Sequence, residues 1–209
     1  MSERLLLTPF GPKIAKVKMP EDLVKKLNDY IDKIIEDKKK SSELDIGDKL
    51  AGNVTEEFQL ENNFVQDSGW LNFLGSETAA WIKNAESKKI TKFNLIKTWV
   101  VRQYQTEYNP IHTHEGHISG VGYLKVPPTF GETVQKNKLN LNGTLSFVHG
   151  SRMFLCKGQY SIVPKVGDFY FFPAYLMHSV YPFNNTDDER RSVSFNARID
   201  DEVFNSLGN

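Results

Sequence analysis

The stretch YNPIHTHEGHISGVGYLKV, residues 108–126, sets two histidines one residue apart directly ahead of an apolar run. On an extended chain residues i and i+2 point to the same face, so His112 and His114 can offer both imidazoles to one ion. The run from Ile118 to Val126 reads as a strand. A third histidine, His178, stands at the end of another apolar strand, Asp168-Phe-Tyr-Phe-Phe-Pro173. Two ligands from one short motif and a distant third from a second strand make a facial metal site with open coordination positions. Imidazole suits iron, zinc, copper or nickel, so the ligands alone do not choose the ion. His117 and His149 read as ordinary surface or core residues.

Outward from this stretch the second half has the grammar of strands. Short apolar or alternating segments are expected at 93–104, 118–126, 144–148, 159–163, 168–172 and 192–199. Turn-forming residues part them, among them Asn142-Gly143, Val166-Gly167 and the run Asn184-Asn-Thr-Asp-Asp188. Many short strands at such spacing predict a sandwich or jelly roll rather than a parallel sheet.

The first ninety residues read as helical. Pro20 followed by Glu21 and Asp22 is a helix start. Leu23, Leu27, Tyr30, Ile31, Ile34 and Ile35 then recur at spacings of three and four, marking one apolar face. The lysines of 37–42 read as its solvated end. Residues 43–65 are polar and weakly patterned, a loop expected to cross the surface. A second helix is expected between Gly69 and Ser87, around Trp70, Phe73, Leu74 and Trp81. The helices should pack on one outer face of the double sheet and leave its mouth open.

A chain of 209 residues bounds this to one domain, with 1–90 as a helical part and 91–200 as the β core. With 39% hydrophobic residues it can bury a full core, which excludes disorder. Lys+Arg and Asp+Glu number 26 each, so no overall charge draws it to nucleic acid or an anionic membrane. Cys156 is the only cysteine, as in a reducing compartment, and the expected location is cytoplasmic (host cytoplasm if viral). The opening Met-Ser-Glu-Arg-Leu-Leu-Leu has too short an apolar run for a signal peptide, and no segment is long enough to span a membrane.

The segment after His178 narrows the chemistry. On a strand, Arg190, Ser192, Ser194 and Asn196 share one face and Arg191, Val193 and Phe195 the other. A guanidinium and a hydroxyl two residues apart and facing inward form a carboxylate clamp. An unpaired arginine inside a barrel is costly, so its partner is either a bound acid or an internal salt bridge.

The stretches HTHEGHISGVGYLKVP, LSFVHGS, VGDFYFFPAYLMHSVYPF and ERRSVSFN resemble the iron(II)- and 2-oxoglutarate-dependent oxygenases. More narrowly they resemble a prolyl-hydroxylase-like branch found in marine bacteria and in tailed phages of cyanobacteria. The likeness covers residues 95–199 in detail. It implies a double-stranded β-helix (cupin-like), with iron(II), 2-oxoglutarate and O2 as partners of an unidentified substrate. It further implies His112 as first ligand, His178 as distal ligand, and Arg190 with Ser192 on the far carboxylate of 2-oxoglutarate. Tyr123 and Tyr104 sit where such enzymes offer a phenol to the cosubstrate. The second ligand departs from the common pattern: a carboxylate is usual two residues after the first histidine, and here His114 stands there. Glu115 next door is the alternative, reachable through a bulge. Two other readings account for the histidines, a three-histidine cupin-type dioxygenase that does not use 2-oxoglutarate and a non-catalytic metal-binding jelly roll. Loops 43–65 and 128–142 would set specificity.

Overall fold

Ten residues of alternating pattern, Arg190 to Ile199, form the longest-paired strand of the protein, flanked on both sides by antiparallel neighbours. The computed structural model describes residues 11–206; the N-terminal run that bears on a signal peptide lies outside the described residues. In chain order the elements are β1 (Ala15–Lys18), α1 (Glu21–Glu36), α2 (Lys38–Leu44), a 3-10 turn at Gly47–Lys49, β2 (Glu56–Gln59), α3 (Asn62–Asp67) and α4 (Trp70–Glu86). There follow β3 (Phe93–Gln103), β4 (Asn109–His112), β5 (Ile118–Lys125), β6 (Leu145–Val148), β7 (Gln159–Ile162), β8 (Asp168–Pro173), β9 (Met177–Val180), β10 (Arg190–Ile199) and α5 (Asp201–Phe204).

The strands form two antiparallel sheets, a six-stranded one in the order β1-β8-β5-β10-β3-β2 and a four-stranded one in the order β4-β9-β6-β7. This is the double-stranded β-helix with flanking helices that the sequence led us to expect. One detail differs. The strand 168–173 does not itself carry His178: the chain leaves the large sheet after Pro173 and enters the small sheet at Met177. His178 therefore faces His112 directly across the β4–β9 pair.

Strand parity divides the large sheet into two chemistries. Phe169, Phe171, Val193, Phe195 and Val100 point outward, where α1 and α4 cover them with Leu27, Ile31, Trp70, Phe73 and Leu74. Trp70 also donates through Nε1 to the Thr98 hydroxyl at 3.0 Å, tying α4 to β3. Tyr123, Tyr170 and Phe172 point inward with Phe147 and Leu145 of the small sheet. The aromatic strand 169–172 is thus split, half of it helix packing and half of it barrel lining.

The N-terminal ninety residues are less purely helical than their pattern predicts. Segments 15–18 and 56–59 add the two edge strands of the large sheet, β1 against β8 and β2 against β3. Region 43–65 is accordingly not a plain surface loop, since Phe58 and Leu60 are buried within it. The lysine run does not simply end the first helix either. Asp37 interrupts it and caps α2, accepting from the amides of Lys39 and Lys40.

Candidate metal centre

His112 ends β4, His114 lies two residues beyond in the connection to β5, and His178 sits on β9. Gly116 makes the turn between them, with φ +89°. A Cβ there would lie 2.8 Å from the Ala197 carbonyl oxygen. Backbone bonds from His114 N–H to Ala174 O and from His117 N–H to Ala197 O fix the turn to the strands on either side. One ligand atom from each of His112, His114 and His178 lies within 4.8 Å of the others. Glu115 is exposed and not part of this group.

Hydrogen bonding sets the tautomers of two rings. His112 Nδ1 donates to Pro110 O at 2.7 Å and His178 Nδ1 to Leu176 O at 2.9 Å. The protons sit on Nδ1, so the Nε2 lone pairs are free for a ligand. His114 Nε2 and His178 Nε2 are 3.1 Å apart. Two nitrogens bound about 2.1 Å from one ion at a right angle would be separated by about 3.0 Å, so the pair fits a shared ion. Burial lowers all three imidazoles, His114 to about 3 and His178 to about 4, which keeps them neutral and ligating at physiological pH. Trp99, Phe147 and Phe172 wall the cluster with rings at 5.6, 5.8 and 5.0 Å from the nearest imidazole.

One cavity joins the three histidines to Arg190, Ser192 and Ser194 on the inner face of β10. The inward face expected for these β10 residues is therefore the one observed. Arg190 is 1% exposed, and its one hydrogen bond runs from Nη1 to Gln103 Oε1 at 2.9 Å. Its Nε and the Tyr123 hydroxyl are buried without a hydrogen-bond partner among the described residues. The guanidinium carbon lies 5.1 Å from the centre of the Tyr123 ring. Burial pushes the Tyr123 phenol up to about 12. Two orphaned donors beside a buried cation form a receptor for a carboxylate.

Tyr104 does not join this pocket. Gln103 faces inward to meet Arg190, so strand parity turns Tyr104 the other way, and its hydroxyl accepts from Arg102. His117 stacks on Phe204 at 3.9 Å and accepts from the Ile199 amide, while His149 is exposed. Gln103, which holds Arg190, escaped the sequence reading, although its parity with Trp99 and Val101 carries the signal.

Comparisons with known proteins bear on the fold. Residues 97–196 match the profile of a family described as "Putative 2OG-Fe(II) oxygenase". Among solved structures, a prolyl-4-hydroxylase from Pseudomonas putida superposes with TM-score 0.57 at 16% identity, covering 88% of this chain and 92% of that one. A viral collagen prolyl hydroxylase from Paramecium bursaria Chlorella virus-1, in complex with 2OG, gives 0.55 at 16%, covering 88% and 94%. HygX from Streptomyces hygroscopicus, with nickel and 2-oxoglutarate bound, gives 0.56 at 9%, covering 87% and 80%. No curated protein sequence matches the chain. Residues 97–196 thus resemble that oxygenase family, and the solved structures share the fold of this chain, the double-stranded β-helix. No helix among the described residues is long and apolar enough to cross a membrane.

Proposed function

We propose that the protein is an iron(II)- and 2-oxoglutarate-dependent hydroxylase with His112, His114 and His178 as metal ligands. Arg190, Ser192 and Tyr123 would hold the far carboxylate of 2-oxoglutarate. The observation that carries this reading is the pairing, in one cavity, of three neutral imidazoles with a buried and underpaired arginine. A metal site alone would need no guanidinium, and a structural arginine would have its full complement of acceptors. Iron(II) with 2-oxoglutarate supplies the oxidising power that inserts oxygen from O2 into a C–H bond, releasing succinate and CO2.

The protein's own residues bind, orient and exclude water. Pro110 and Leu176 carbonyls hold the imidazoles in register. Gln103 fixes the Arg190 fork, and Trp99, Phe147 and Phe172 keep solvent from the reacting centre. A peptidyl, and within that class a prolyl, substrate is favoured because prolyl hydroxylases are among the similarly folded proteins. A second reading has one observation of its own. With Glu115 outside the ligand group, the triad is neutral, as in a three-histidine dioxygenase that oxidises its substrate without 2-oxoglutarate.

Anaerobic titration with iron(II) and then 2-oxoglutarate separates the readings. The expected result is a visible metal-to-ligand charge-transfer band that disappears in His178→Ala. Oxygen uptake with no requirement for 2-oxoglutarate would select the second reading and leave Arg190 without a role.

A further inference from the structure

A carboxylate that this chemistry does not use is buried at the rim of the same centre. Glu57 lies on β2, paired with Val101, and is 1% exposed. Neither of its oxygens has a hydrogen-bond partner among the described residues. The other buried acid among the described residues differs, since Asp168 is held by Lys16 at 2.7 Å and by Lys18, and the half-buried Glu189 is held by Arg102 and Arg191. A buried carboxylate left unpaired costs stability, so its retention points to a ligand that completes it.

The place of Glu57 says which ligand. It walls a cavity of about 300 Å³ together with Lys97, Asn109, His112, His114 and Asn196. Arg190 and Ser192 line an adjoining cavity that shares Trp99, Asn109, His112 and His114 with this one. On the proposed reading, one cavity takes 2-oxoglutarate and the other takes the substrate. The backbone pairing of Asn53 with Tyr108 fastens the 50–55 loop to the approach to β4. Gly52 lets that loop close over the carboxylate, since a Cβ there would lie 3.0 Å from Glu57 Oε1 and 2.8 Å from Asn109 Nδ2. Lys97 on the same wall forms no ion pair with Glu57, and its Nζ sits 5.6 Å above the Trp99 ring.

We propose that Glu57 is a substrate-recognition residue and that the substrate carries a cationic nitrogen, an ammonium or guanidinium, seated against it beside the metal centre. The substrate side of the centre rests on the reading above; the Glu57 site itself does not. A cation is favoured over a neutral donor because a charge-assisted hydrogen bond is the stronger partner for a buried carboxylate, and Asp45 and Glu107 oppose the influence of Lys97 there. Burial already raises it to about 7, and an arriving cation would restore the ionised form.

The test uses the full chain loaded with manganese(II) and three probes: Nα-acetyl-lysine amide, Nα-acetyl-arginine amide and the neutral isostere Nα-acetyl-norleucine amide. Affinity comes from saturation-transfer NMR and proximity to the metal from paramagnetic broadening of the probe resonances. At least one cationic probe should bind about tenfold tighter than norleucine amide, and Glu57→Gln should erase most of that preference while the fold persists by circular dichroism. Equal or undetectable binding of the cationic and neutral probes by wild-type protein overturns the inference, whatever the variant does. So does a cation preference that survives in Glu57→Gln. A Glu57-dependent preference without manganese broadening would instead sink the metal-centre reading and leave the cation site standing.

Discussion

Arg190 and Arg191 are adjacent in sequence and equally buried, each 1% exposed, yet they stand in opposite electrostatic settings. Arg191 turns outward into a closed network. Its Nε donates to Glu189 at 2.6 Å, its Nη2 to Asp32 at 2.8 Å and its Nη1 to Asn28 Oδ1 at 3.0 Å. Arg102 shares the same Glu189 at 2.8 Å. Arg190 turns inward, where Gln103 accepts from it and no carboxylate pairs with it among the described residues. At this point of β10 the outer face completes its charge from within the protein, and the inner face leaves Arg190 underpaired. Equal burial therefore separates into a paired charge on one side and, on the proposed reading, a binding one on the other, decided by which donors remain free.

Substitutions can break that contrast. Arg191→Ala takes the buried partner from Glu189 and Asp32, leaving Arg102 and Lys125 to them, and should cost about 3 kcal/mol in urea unfolding, with 2-oxoglutarate affinity kept in whatever remains folded. Arg190→Met removes an underpaired charge and should change stability by less than about 1 kcal/mol while weakening 2-oxoglutarate at least about 100-fold by charge-transfer titration. Equal stability losses in the two variants would erase the distinction.

Glu57 extends the contrast to pH. Its carboxyl is raised from 4.5 to about 7 by burial, so between those values the folded state binds more protons than the unfolded one. Its contribution is then fully present below pH 4.5 and is lost as pH rises through 7. Glu57→Gln lacks this loss, so the variant should match wild type near pH 4.5 and exceed it by about 3 kcal/mol at pH 8. Unfolding curves for both proteins across that range measure the difference, in which the other titrating groups cancel. A constant difference would show that Glu57 is paired in solution. The smallest effects belong to the tyrosines. Tyr123→Phe should weaken 2-oxoglutarate about fivefold, the worth of one hydrogen bond, and Tyr104→Phe should leave that affinity within about twofold.

Much of this was legible in the chain because strand parity is local. The inward face of Arg190, Ser192, Ser194 and Asn196 follows from period two, and so does the shared reach of His112 and His114. The same rule would have excluded Tyr104, since Gln103 and Tyr104 cannot both face the cavity. The edge strands were not legible. Glu56-Glu-Phe-Gln59 has little β-branched character and becomes a strand only because β3 offers an unpaired edge. Ala15-Lys-Val-Lys18 is likewise four residues long and defined by its pairing to β8.

By itself the sequence brought out the sheet-forming second half and, for the proposed site, the three histidines, their order and Arg190, since each depends on neighbours two to four residues away. Tertiary structure decided which charges are closed and which are open. Whether Arg190, Arg191 or Glu57 finds a partner depends on residues distant in the chain, Gln103 for the first, Asp32 for the second and, among the described residues, none for the third. Burial and pairing are properties of the packed whole, and only packing made the difference between a structural charge and a binding one.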